Sequence, residues 1–119
     1  MKTDNLIADK TFDFALQIIS FYIQLKTEKE FVLSKQLLRA GTSIGANVEE
    51  AIAAQSKKDF INKMSIASKE ARETKYWLRL LNESDLTQLD SKVYLDEIEH
   101  IINIITKIII TSRKSIDSK

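Results

Sequence analysis

Proline is absent from all 119 residues, and the two glycines, Gly41 and Gly45, lie four apart inside one stretch. No other feature constrains the fold as much. Hairpin-rich sheets take their tight turns from Gly-containing pairs, and other turns favour Pro. A chain without prolines and with so few glycines lacks the punctuation of a β fold, so an all-α fold is expected. The length suits one domain spanning 1–119. It leaves room for a shared core among helices of about five to seven turns each. Hydrophobic residues make up 44% and charged residues 29%, a balance that disfavours long disorder.

Several function classes fall away at once. The absence of Cys removes disulfides, thiolate catalysis and zinc–thiolate sites. A net charge of +1 argues against bulk attraction to nucleic acid or membranes. No uncharged apolar run reaches the roughly 18 residues of a spanning helix. The first residues, MKTDNLIADKTFDF, carry acids before any apolar core and do not read as a signal peptide. A cytoplasmic location is expected by elimination.

Apolar periodicity divides the chain into helices at about 5–27, 31–55, 57–83 and 91–113. The first has Thr3 or Asp4 as its expected N-cap. It carries two apolar lines, Phe12, Ala15, Ile19, Tyr22 and Phe14, Ile18, Phe21, Leu25. Together they exceed the width that one core-facing helix needs. A core side plus a subunit-contact side is the favoured reading, and burial deep in a large bundle is the alternative. Lys26 to Lys29 forms a charged turn. In the second helix the glycines permit close backbone approach, and flanking charges argue against a membrane GxxxG motif. Ser56 to Asp59 has the form of a capping box for the third helix. Phe60, Met64, Ala67, Ala71, Thr74, Leu78 and Leu81 then repeat at alternating four and three, with a small middle suited to the Gly/Ala-rich second helix. Trp77 reads as a packing anchor or interface residue, and 82–90 as the longer loop. In the fourth helix, Leu95, Ile98, Ile102, Ile105 and Ile109 hold helical spacing despite a β-prone composition. Ile101, Ile104 and Ile108 widen that face, which again suggests assembly. Residues 115–119 are expected to fray.

The second helix also carries a polar stripe beside its apolar face: Gln36, Ser43, Asn47 and Glu50. Amides and a hydroxyl in this position suggest a buried polar network that fixes helix register, with Glu70 and Glu73 of the third helix as acceptors. A ligand site and plain solvation are the weaker readings.

The run QLLRAGTSIGANVEEA, followed by SKKDF and IASKEARET, resembles the four-helix-bundle proteins encoded in intervening sequences of bacterial 23S ribosomal RNA genes. The family is also described as ribosomal. The matching positions are Gln36, Arg39, Ser43, Ile44, Asn47, Glu50, Ser56, Asp59, Phe60, Ala67, Glu70 and Glu73. Ala51 departs from the Gly that many members place after the Glu, a small change because Ala is the better helix former. The resemblance covers nearly the whole chain. It implies an up-down-up-down antiparallel four-helix bundle, a homopentamer and no established activity. Accessory proteins of diversity-generating retroelements are related; they form similar pentamers and bind nucleic acid through a strongly basic surface.

Chemistry is sparse. Glu97 and His100 form a Glu-x-x-His pair, but di-iron bundles need two such pairs and the chain has one histidine. Glu50, Glu70 and Glu73 could converge, yet no nucleophile, oxyanion-stabilising motif or phosphate loop accompanies them. No catalytic residue, cofactor, metal or small-molecule substrate is therefore expected, and an enzyme is not. The third helix has a mild basic bias in which Lys57, Lys58, Lys69, Arg72 and Lys75 form a candidate nucleic-acid surface. A ring of subunits would repeat it. No recognition-helix, stacking-platform or zinc-finger pattern accompanies it. The leading expectation is a non-enzymatic homo-oligomeric scaffold. The alternative is an RNA- or DNA-binding accessory protein.

Overall fold

A buried residue recurs every three or four positions through each long segment, and this periodicity builds the molecule. The computed structural model describes residues 2–117, with side chains over 6–117. Its helices are α1 (Lys2–Thr27), α2 (Leu33–Ile52), α3 (Lys57–Glu83) and α4 (Lys92–Asp117). Short connections make consecutive helices antiparallel neighbours. Packing is most extensive for α2 on α3, then α1 on α2 and α3 on α4; α1 meets α4 through the smallest contact. The result is an up-down-up-down all-α bundle, 53 Å long and 22 × 21 Å across.

Helix α1 buries Ile7, Thr11, Phe14, Ile18, Phe21 and Leu25. The Thr11 hydroxyl donates to the Ile7 carbonyl at 2.8 Å, so this buried polar group is satisfied inside its own helix. The helix begins at Lys2, earlier than the sequence suggested; the expected capping side chains, Thr3 and Asp4, lie outside those described. Its C-terminus is a Schellman motif. Glu30 N–H donates to Leu25 O at 2.9 Å and Lys29 N–H to Lys26 O at 2.8 Å. Lys29 occupies the left-handed position with φ 67°, where an L side chain costs about 1 kcal/mol.

The start of α2 explains why it is shorter than 31–55. The nearly buried Glu30 carboxylate accepts from the backbone N–H of Val32 at 3.0 Å, Leu33 at 2.6 Å and Ser34 at 3.2 Å. Those otherwise orphaned donors are satisfied at the positive end of the helix dipole. Phe31 and Val32 remain outside the helix and exposed. At the other end, Ala54 N–H bonds Ala51 O at 3.1 Å and closes the helix just before the next cap.

The glycines of α2 face α1, not α3. A Cβ on Gly41 would lie 2.9 Å from Ile18 Cγ2, and one on Gly45 would lie 3.3 Å from Thr11 O. They let the α1 and α2 backbones approach closely. Helix α3 has the expected boundaries and cap: Ser56 Oγ accepts from Asp59 N–H at 3.1 Å. Its buried line runs Ile61, Met64, Ala67, Ala71, Thr74, Leu78, Leu81, with Phe60 half-buried beside it.

Helix α4 departs from expectation in two ways. It continues through Ser115 to Asp117; the hydroxyl of Ser115, half-buried, accepts from Lys57 Nζ at 3.2 Å. Ile101 and Ile108 are buried in the chain's own core and Ile104 packs against it. The wide isoleucine face is thus used largely inside the chain, with Ile104 left half-buried. Between α3 and α4, Glu28 Oε1 accepts from Thr87 Oγ1 at 2.6 Å and from Gln88 N–H at 3.2 Å, tying the connection to the end of α1.

Candidate functional site

Three surfaces remain once the core is accounted for. The first is a polar seam along the outer groove between α2 and α3. Its hub is Arg39. The guanidinium donates to Gln36 Oε1 at 3.3 Å, to Glu70 Oε1 at 3.3 Å and to Glu73 Oε2. Trp77 Nε1 donates to the same Glu73 oxygen at 3.0 Å. Further along, Lys63 pairs with Glu50 at 2.8 Å. The partners run in opposite chain directions, as antiparallel helices require.

The seam brings Gln36, Glu70 and Glu73 together, though differently from the network expected. Gln36 and Glu50 are exposed and Ser43 and Asn47 half-buried in the single chain. Ser43 Oγ donates to Arg39 O at 2.6 Å, and Asn47 Nδ2 to Ser43 O at 2.9 Å, so both bond within α2. The long Arg39 side chain, not the amide, bridges the helices. At this half-open site its ion pairs, one to each of two carboxylates, are worth about 1 kcal/mol.

The second surface is the outward side of α1. Phe12, Leu16, Ile19 and Ile23 are exposed at spacings of four, three and four. They form a second apolar stripe on nearly the opposite side of the helix from the buried line. Phe12 is 62% exposed. Single exposed apolar residues are ordinary; an aligned stripe of large ones is not.

The third surface is the outward side of α3. It displays Lys58, Lys69, Arg72, Tyr76 and Arg79, all exposed. Lys58, Lys69 and Arg72 make no ion pair among the described residues, and Arg79 reaches Glu83 at 3.6 Å. Two other expected members sit differently. Lys75 turns to α4 and pairs with Glu99 at 2.8 Å, while Lys57 sits at the α4 edge on Ser115. Tyr76 was not singled out from the sequence as a stacking group, although its place four residues after Arg72 and three before Arg79 is the signal that could have found it.

An open cavity of about 620 Å³ lies at one end of the bundle, between Leu6, Ile52, Phe60, Ile104 and Ile108, with Lys57 and Lys107 at its rim. Among the described residues its lining holds no acid and no histidine. Elsewhere, Glu97 lies 3.5 Å from Lys10 and His100 is exposed. Among the described residues no group of three or more His, Asp or Glu side chains could hold a metal ion, and no helix is long and apolar enough to cross a membrane.

These features define an all-α antiparallel four-helix bundle whose distinctive chemistry lies on outward faces rather than in an internal pocket. The chain belongs to the 23S rRNA-intervening sequence protein family, whose model matches residues 3–107. It is similar to a crystal structure of a protein with unknown function from the S23 ribosomal protein family of Bacteroides thetaiotaomicron VPI-5482. The two are 45% identical, the match covers 90% of this chain and 97% of that one, and the TM-score is 0.82. No curated protein matches the chain significantly.

Proposed function

We propose that this protein is a non-enzymatic scaffold that works as a homo-oligomer, with the outward stripe of α1 as the subunit contact. The stripe of Phe12, Leu16, Ile19 and Ile23 carries this reading. Its burial would remove the remaining exposed surface of four large apolar side chains, about half of each, contributing about 1 kcal/mol per residue. Five subunits is the number that the family resemblance implies, and the rod shape suits side-by-side packing in a ring.

The absence of native cysteine makes the test direct. In single-site Ile19→Cys and Lys69→Cys variants, maleimide labelling should be slow at position 19 and fast at position 69 in the native protein. Equal rates would contradict the assignment of α1 as the contact.

A second reading is favoured by the outward side of α3. An RNA- or DNA-binding role would use the repeated basic stripe, because phosphate contacts from several subunits act together. Affinity that falls steeply with salt is its signature.

A further inference from the structure

The outward stripe of α3 contains an aromatic ring among its cations. Tyr76 is 54% exposed, with Arg72 one turn before it and Arg79 one turn after. Its ring is braced. It meets Trp77 edge-on, centroids 5.3 Å apart at 66°. Trp77 is held by its indole bond to Glu73, which also receives Arg39 from α2. The ring thus stands at the end of a chain of contacts within α3, tied to α2 only where Arg39 meets Glu73. Beside Tyr76 lies a cavity of about 230 Å³ with Leu80 as its apolar wall and Arg79 and Glu83 at its edge.

A braced, exposed tyrosine between guanidinium groups is what stacking of an unpaired base requires. Inside a duplex every ring face is covered by its neighbours, so only an unpaired strand offers such faces along its length. A protein partner would also use Tyr, Trp and Arg. The flanking charge distinguishes the two. Lys69, Arg72 and Arg79 span about 15 Å of helix, with Glu83 the one acid at its end, a layout suited to a phosphate backbone.

We infer that Tyr76 is a stacking platform for single-stranded nucleic acid, with Lys69, Arg72 and Arg79 holding the phosphates on either side. This rests on the nucleic-acid reading above and narrows it to unpaired strands.

The test is fluorescence anisotropy of the full-length protein with a labelled unstructured oligouridine and a labelled duplex of equal length, at about 50 mM salt. The single strand should bind more tightly. Tyr76→Leu should weaken single-strand binding about tenfold, the scale of one lost base stack, and Tyr76→Phe should restore it. Circular dichroism should show unchanged helicity in both variants. Single-strand binding unaffected by Tyr76→Leu overturns the platform and leaves the electrostatic reading standing. No binding of either probe overturns both and transfers Tyr76 and Trp77 to a protein contact.

Discussion

Helices α1 and α3 sit diagonally across the bundle and bury the same kind of line. Each sends an apolar or small residue inward every three or four positions. Their outward sides could hardly differ more. That of α1 is apolar, with Phe12, Leu16, Ile19 and Ile23. That of α3 is cationic and aromatic, with Lys58, Lys69, Arg72, Tyr76 and Arg79. Inward lines determine the bundle, and outward lines give it two chemically distinct exposed faces. The near-zero net charge hides this, because several acids lie off the stripe: Glu70 and Glu73 in the seam, Glu97 and Glu99 on α4.

The comparison breaks first on the α1 side. Phe12→Asp combined with Ile19→Asp places two charges on the stripe, and burying an unpaired charge costs several kcal/mol. Sedimentation velocity should show single chains, a loss of more than about 100-fold in association. Lys69→Glu combined with Arg72→Glu should leave the sedimentation coefficient unchanged and weaken RNA binding about 10- to 100-fold. If each pair of changes altered both properties equally, the two faces would not be separate.

Changes that touch neither outward face sharpen the contrast by altering stability alone. Gly41→Val drives a branched side chain into Ile18, already 2.9 Å from a Cβ at that site. Urea unfolding should show a loss of about 2–3 kcal/mol. Glu30→Ala removes the acceptor for the first N–H groups of α2 and should cost about 1–2 kcal/mol. Lys29→Gly relieves the left-handed residue of the α1 C-cap and should add about 0.5–1 kcal/mol of stability.

Much of the fold was legible because its signals are local. Ser56 lies three residues before Asp59, and that spacing placed the start of α3. The buried line of α1, Phe14 through Leu25, was legible from spacing. Of the second line, Phe12 and Ile19 are exposed while Ala15 and Tyr22 are half-buried, and Leu16 and Ile23 complete the exposed stripe instead. What escaped depends on helix rotation and reach. Glu30 caps from two to four residues ahead, outside the usual Ser, Thr, Asp and Asn pattern. The turn at Lys29 lacks the glycine that normally marks it. The glycines of α2 turn toward Ile18 and Thr11 of α1, which spacing along α2 cannot reveal. The same holds for the seam. Asn47 had the composition of a buried hub, but Arg39 is long enough to cross to α3, and Asn47 closes onto Ser43 of its own helix. The edge-on contact of Tyr76 with Trp77, itself bonded to Glu73, likewise depends on rotamers that the sequence does not display.

The subunit role of the α1 stripe is the central claim, and the mass of the unaltered protein in solution tests it most directly. Multi-angle light scattering across a dilution series should give a constant mass of five chains, because a contact built on four large apolar side chains persists at low concentration. A mass of one chain at every concentration would contradict the account.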